Sequence, residues 1–198
     1  MYDRREFLAL TGATLIACTR LRADTMFITS PVVDDLSREP PMATIGTSWR
    51  MLTDSVMGGV SDGTMSRELV AGQPAIRMRG NVSLENNGGF VQISLDLDPD
   101  GKPVNASTWQ GFELDVFGNG EPYAMHLRTA DLSRPWQSYR QSFRADPAWR
   151  TVELPFKDFV PHRTDVGLNI RRLKRIGIVA IGRPFVADIS VRGVRFMK

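Results

Sequence analysis

From Trp49 onward, apolar and polar residues alternate along the chain in short runs, which sends successive side chains to opposite faces of a β-strand. Phe90 to Leu97 shows the pattern most cleanly, with Val91, Ile93, Leu95 and Leu97 on one side and Gln92, Ser94 and Asp96 on the other. Gly111 to Phe117 buries Phe112, Leu114 and Val116 and exposes Glu113 and Asp115. Tyr123 to Thr129 turns Tyr123, Met125 and Leu127 inward and His126 and Arg128 outward. Ala75 to Gly80 predicts another strand, as do Trp136 to Arg144, with a less regular alternation, and Trp149 to Leu154, which ends in a turn at Pro155-Phe156. Arg175 to Ile181 is almost wholly apolar, as in a strand covered on both faces. Ala187, Ile189 and Val191 share a face, Val194 and Phe196 break the phase, and Gly193 between them predicts a bulge. Only Asp165 to Lys174 has room for a helical turn. About eight or nine strands at turn-punctuated spacing predict an all-β sandwich or jelly roll.

Two glycine pairs interrupt the alternation. One lies in Trp49 to Gly63, where Asp54 and Ser61 flank Gly58-Gly59; the other is Asn86-Asn87-Gly88-Gly89-Phe90. Glycine pairs beside short polar residues suit backbone that takes positive φ or passes close to another segment. In a strand-rich chain they predict that the two stretches meet at one crowded corner of the sandwich.

The motifs Thr53-Asp54-Ser55-Val56-Met57-Gly58-Gly59-Val60-Ser61 and Gly80-Asn81-Val82-Ser83-Leu84 leading into Asn86 to Phe90 carry a family resemblance. So do Trp49, Gly111 to Val116, Gly118-Asn119-Gly120, Tyr123, Trp149, Leu154-Pro155-Phe156 and Phe159. With these the chain resembles the complex I intermediate-associated protein 30 family from Trp49 to Phe196. The resemblance implies a galactose-binding-like jelly roll and a non-enzymatic role, the mitochondrial members being assembly chaperones for respiratory complex I. It also implies that a structural calcium is a plausible guest of the fold.

Composition narrows the classes. The 198 residues accommodate one domain plus a leader, with 42% hydrophobic and 24% charged residues, both globular values. A net charge of +3 is too small to imply nucleic acid. The one cysteine, Cys18, rules out an intrachain disulfide or a cysteine-rich metal site. Residues 1–23 are expected to be a leader. Asp3-Arg4-Arg5-Glu6-Phe7-Leu8 resembles a twin-arginine export signal, the apolar run from Phe7 to Ala17 has signal-peptide length, and Leu15-Ile16-Ala17-Cys18 resembles a lipobox. The expected protein is therefore exported, periplasmic or held at the membrane only through lipid on Cys18; a start at Met26 would instead leave it cytoplasmic. Residues 24–47, with Pro31, Pro40 and Pro41, are expected to be a tether and irregular lead-in with at most a short strand, and residues 48–198 the domain.

Candidate chemistry is sparse. Gly59-Val60-Ser61-Asp62-Gly63 matches the nucleophile elbow, but that motif needs a helix after the serine, and more strand-like sequence follows; only His126 and His162 could act as base. Asp96-Leu97-Asp98-Pro99-Asp100-Gly101 matches the opening of a calcium loop, but Ser107 stands where the bidentate glutamate belongs. Gly118-Asn119-Gly120 reads as a hairpin turn. Arg163, Arg171, Arg172, Lys174 and Arg175 crowd one segment, either as a solvated face or as a dock for an acidic surface or lipid headgroups. His126 and Arg128 share an outward face, expected beside Glu113 and Asp115 on the preceding strand, with Tyr139 and Gln141 added by the next strand and Trp136 and Trp109 near the loops. This is either cross-strand charge pairing or a ligand surface.

The expectation is a binding module without catalytic residues, metal or cofactor. It would serve as a protein-assembly or chaperone-like factor whose partner is a protein, with membrane respiratory complex subunits the family's suggestion. The alternative is a carbohydrate-binding module of the cell envelope, with a glycan partner.

Overall fold

The alternation resolves into strands that pair in two sheets. The computed structural model describes residues 26–198; the expected leader, with Arg4, Arg5 and Cys18, lies outside the described residues. In chain order the strands are β1 (Met26–Phe27), β2 (Val32–Asp34), β3 (Arg50–Thr53), β4 (Asp62–Val70), β5 (Gln73–Val82), β6 (Phe90–Asp96) and β7 (Val104–Asn105). They continue with β8 (Gly111–Gly118), β9 (Pro122–Thr129), β10 (Ser138–Arg144), β11 (Arg150–Pro155), β12 (Val160–His162), β13 (Leu173–Ile181) and β14 (Phe185–Met197). Helix among the described residues is limited to short 3-10 turns: Ile170–Arg172 lies inside the segment expected to hold a turn, while Asp54–Met57, Glu85–Asn87 and Phe156–Asp158 lie outside it, against the expectation of that segment alone.

One sheet runs β3-β6-β13-β9-β10-β12, with β7 and then β1 attached near the start of β13. The other runs β11-β8-β14-β5-β4, with β2 beside the end of β14. The expected all-β sandwich is what the pairing shows. The inward positions read from the sequence fill the space between the sheets. Val91, Ile93 and Leu95 of β6, Met125 and Leu127 of β9, and Phe112 and Leu114 of β8 are all fully buried in one cluster. Each such side chain contributes about 1.5–3 kcal/mol through burial. The bulge foreseen at Gly193 is present, where the register of β14 against β8 shifts between Val191 and Gly193. Past it Val194 and Phe196 return to the core.

Three expectations change. Gly118-Asn119-Gly120 is not a hairpin: β8 and β9 lie in different sheets, so the turn arches across the sandwich. Asn119 is fixed there by Nδ2 donating to the Val186 carbonyl at 2.8 Å and by Oδ1 accepting from the Tyr123 hydroxyl at 2.8 Å. For the same reason Glu113 and Asp115 do not neighbour His126 and Arg128. They face Arg195 of β14, which donates to Glu113 at 2.5 Å and to Asp115 at 2.9 Å. Finally, residues 26–47 are more than a tether. Val33 and Ala43 are fully buried, β1 pairs in parallel with β7, and the buried Asp34 carboxylate accepts from the Trp49 indole at 2.7 Å. Strand β4, which the alternation does not predict, pairs along its length with β5 around the Ala71-Gly72 turn.

Candidate functional site

The two glycine stretches meet on the carboxylate of Asp54, which is fully buried at the start of the 3-10 turn Asp54–Met57. Its Oδ1 accepts from the Ser61 amide at 2.9 Å. Its Oδ2 accepts from the Ser61 hydroxyl and the Gly89 amide, each at 2.5 Å, and from the Phe90 amide at 3.2 Å. Burial alone would raise the Asp54 pKa. The hydrogen bonds from Ser61, Gly89 and Phe90 outweigh it and hold the carboxyl below its ordinary value. The glycines divide the work. Gly58 (φ +86) ends the turn in the left-handed region and Gly89 (φ +139) also takes positive φ. Gly59 and Gly88 instead give room, since a Cβ would lie 2.4 Å from Asp54 Cγ at Gly59 and 2.5 Å from Asp54 Oδ2 at Gly88. Asn86 (φ +54) and Asn87 (φ +59) complete the turn in the left-handed region, which asparagine tolerates better than most residues.

Ser61 is committed to this corner. It is 5% exposed, its hydroxyl accepts from the Ser83 amide at 2.9 Å while donating toward Asp54, and strand β4 rather than a helix follows it. It is not presented as a nucleophile. The calcium-like loop is likewise occupied by the protein itself. Asp98 Oδ1 accepts from the amides of Asp100 and Lys102, both at 3.0 Å, and Asp96 accepts from Arg175 at 2.6 Å and pairs with Arg50. Among the described residues no three His, Cys, Asp or Glu side chains gather as a metal site would need.

The corner is one wall of a groove of about 690 Å³ on the outer face of the β3-containing sheet. Register explains the floor. His126 of β9 stands opposite Arg140 of β10 and Gly177 of β13, and His162 of β12 opposite Ser138. Gly177 carries no side chain in the middle of this face; a Cβ there would press on the Gln92 side chain at 3.2 Å. Val56, Met57 and Leu84 from the glycine corner form one lip, and Pro135 and Trp136 form part of the other. Arg128 holds that second lip in place by donating from Nη1 to the carbonyls of Arg134, Pro135 and Gln137 at 2.9, 2.6 and 2.7 Å.

The floor is strongly cationic. Arg128, Arg140, Arg163, Arg175, His126 and His162 line the groove, and no Asp or Glu does. Burial pushes the His126 pKa down to about 3, with Arg140 and His162 adding to the fall. His162 is lowered by burial and by Arg140 and Arg163. Burial followed by Arg175 lowers Arg128, and burial followed by Arg163 lowers Arg140. Arg175 is balanced by Asp96, while Arg140 and Arg163 make no ion pair among the described residues.

Of the residues singled out from sequence, His126, Arg128 and Trp136 come together here, as do Asn87, Gly88 and Gly89 at the lip. Tyr139 and Gln141 do not. They pair with Leu127 and Met125 and face the core; Tyr139 is fully buried, its hydroxyl donating to the Gly167 carbonyl at 3.1 Å. Trp109 is core as well, stacked on Phe196 with its indole N–H on the Ile28 carbonyl. Of the basic run, Arg172 and Arg175 are paired to Asp131 and Asp96, and Arg163 reaches the groove. Sequence reasoning missed Arg140, Arg163 and His162 as members of this surface. The available signal was the inward phase of Tyr139 and Phe143, which leaves Ser138 and Arg140 outward.

A model of the family described as complex I intermediate-associated protein 30 matches residues 42–189. The chain belongs to that family. The match spans the glycine corner and most groove-lining strands of this complex I intermediate-associated protein 30 member. No curated protein matches its sequence. Solved structures with the same fold include the family 11 carbohydrate-binding module of the cellulosomal cellulase Lic26A-Cel5E of Clostridium thermocellum. That module has a TM-score of 0.65 and 13% identity, over 86% of this chain and 95% of that one. The family 11 module from Clostridium thermocellum in complex with a β-1,3-1,4-mixed-linked tetrasaccharide gives 0.66 and 13%, over 85% and 95%. A family 30 module of the Clostridium thermocellum cellulase Cel9D-Cel44B gives 0.52 and 14%, over 68% and 82%. At these identities the likeness is one of fold.

Proposed function

We propose that this protein is a non-enzymatic binding module that holds a segment of a partner protein in the groove, in the manner of an assembly factor. One observation carries the reading. Val56, Met57, Leu84 and Trp136 are 48–64% exposed and all border the same groove. Exposed apolar side chains gathered at one opening mark a partner site more often than a bare surface. Aliphatic and methionine side chains adapt to the side chains of another polypeptide. The family description makes membrane respiratory subunits the first partners to test. The leader motifs support a meeting in the cell envelope, and fractionation with sequencing of the mature N-terminus tests it.

The second reading is carbohydrate binding, favoured by Trp136, which is half exposed at the lip. Sugar rings stack on flat aromatic faces. The opposite lip of Val56, Met57 and Leu84 offers none, which favours the protein reading.

A photo-crosslinking amino acid at position 84 in the producing cell separates the two. A discrete protein adduct, identified by mass spectrometry and lost on Met57→Asp, is the expected result. Absence of any adduct together with a tryptophan fluorescence change on neutral glycans, abolished by Trp136→Ala, would overturn the protein reading.

A further inference from the structure

Resting on the protein-binding reading, we infer that the segment held in the groove is acidic, its carboxylates meeting an anion site built by Arg140 and Arg163 with His126 and His162. Arg140 Nε and His126 Nε2 are closed off from solvent and have no hydrogen-bond partner among the described residues. An unmet guanidinium N–H beside an open groove can be met by an acceptor on a ligand, and the neutral imidazole next to it offers either a donor or an acceptor. Neither Arg140 nor Arg163 makes an ion pair with any described residue, whereas Arg175 and Arg172 do. The uncompensated charge is therefore local to the β10–β12 end of the groove.

The surroundings say what kind of anion fits. A planar guanidinium recognises a carboxylate through paired N–H donors. Burial, and after it the Arg140 guanidinium, disfavour protonation of both histidines, and Arg163 repels Arg140, so a carboxylate placed between the two guanidiniums relieves that repulsion as well as making bonds. The apolar lip begins at the other side of the same groove, so one extended segment reaches both. That favours an acidic polypeptide carrying aliphatic side chains over an acidic polysaccharide, whose rings have no use for Val56, Met57 and Leu84.

The test uses the purified chain and four probes: a fluorescein-labelled peptide alternating Leu and Glu, the same peptide with Gln for every Glu, an oligogalacturonate and a neutral mixed-linked glucan oligosaccharide. The acidic peptide is expected to bind by fluorescence anisotropy, to weaken as salt rises, and to lose roughly tenfold or more affinity in Arg140→Gln and again in Arg163→Gln. Arg163 is exposed, so its variant keeps the test informative should Arg140→Gln perturb folding. Equal binding of the Gln peptide would overturn the acidic inference while leaving the protein-binding reading standing. Binding of oligogalacturonate in place of either peptide would overturn both and leave an anionic glycan site. Neutral glucan binding, unaffected by Arg140→Gln, would likewise overturn both. No binding of any probe would refute the anion site.

Discussion

Asp54→Asn is the sharpest perturbation this fold offers, because it changes almost no volume and removes one charge from the point where two distant segments meet. Asp54 Oδ2 accepts three hydrogen bonds and Oδ1 one. The least damaging asparagine rotamer keeps its oxygen at the Oδ2 position. Its amide then faces the Ser61 N–H, so a donor meets a donor and the remaining bonds lose their charge assistance. A buried hydrogen bond to a charged group is worth about 1.5–3 kcal/mol, and leaving the Ser61 amide unsatisfied adds a similar penalty. Shared relaxation of the corner reduces the sum, giving an expected loss of about 2–4 kcal/mol in urea-induced unfolding.

Asp54→Ala strands all the donors and is expected to cost more. The wild-type protein should show the same bond through pH. The folded carboxyl has a lowered pKa, so its contribution is complete above the unfolded value of about 4 and disappears as pH falls through the lower folded value. Asp54→Asn should therefore flatten that acid limb. A variant within about 0.5 kcal/mol of wild type, with an unchanged acid limb, would refute the claim that this carboxylate holds the corner together.

Other consequences follow from neighbouring contacts. Gly59→Ala and Gly88→Ala each drive a Cβ to 2.4–2.5 Å from Asp54, whereas Gly58→Ala meets open space and pays only for its φ of +86. The first two should lose more than about 2 kcal/mol and the third about 1 by thermal or urea melts; equal losses would contradict the division of roles. Arg128→Ala frees the carbonyls of Arg134, Pro135 and Gln137, so Trp136 should become more mobile, read as lower tryptophan anisotropy with the far-UV spectrum unchanged. Unaltered anisotropy would mean that the lip is held by something else. Leu114→Ala opens the core between the sheets and should cost about 2–5 kcal/mol without changing peptide affinity per folded molecule. Cys18→Ala should abolish labelling by a lipid precursor and release the protein from membranes; membrane retention would argue against the lipobox.

The fold was legible wherever the alternation was clean. β6, β8 and β9 could be read with their faces because each carries its apolar residues at every second position. β10 was harder. Gln141 sits in the inward register between Tyr139 and Phe143, and one polar residue there is enough to hide the phase and send Tyr139 to the wrong side. The pairing of strands was less visible still. Adjacent segments in sequence suggested that β8 and β9 pair, but a jelly roll carries the chain from one sheet to the other at Gly118-Asn119-Gly120, and periodicity within a strand has no information about its neighbour.

The same logic explains why the corner could be anticipated and the groove floor only at His126 and Arg128. Glycine pairs announce close backbone approach locally, in the residues themselves. The cationic floor exists only after β12, β10, β9 and β13 lie side by side, bringing residues 126, 140, 162 and 163 onto one surface. None of those four lies in the motifs that carry the family resemblance. The corner motif supplies a rigid lip through Asp54 and does not itself choose a ligand by charge. On this structure, family membership accounts for the shape of the groove and its apolar edge. On the anion-site proposal, the choice of what lies in it falls to arginines and histidines outside the motif, and exchanging Arg140 and Arg163 should alter the ligand without disturbing the fold.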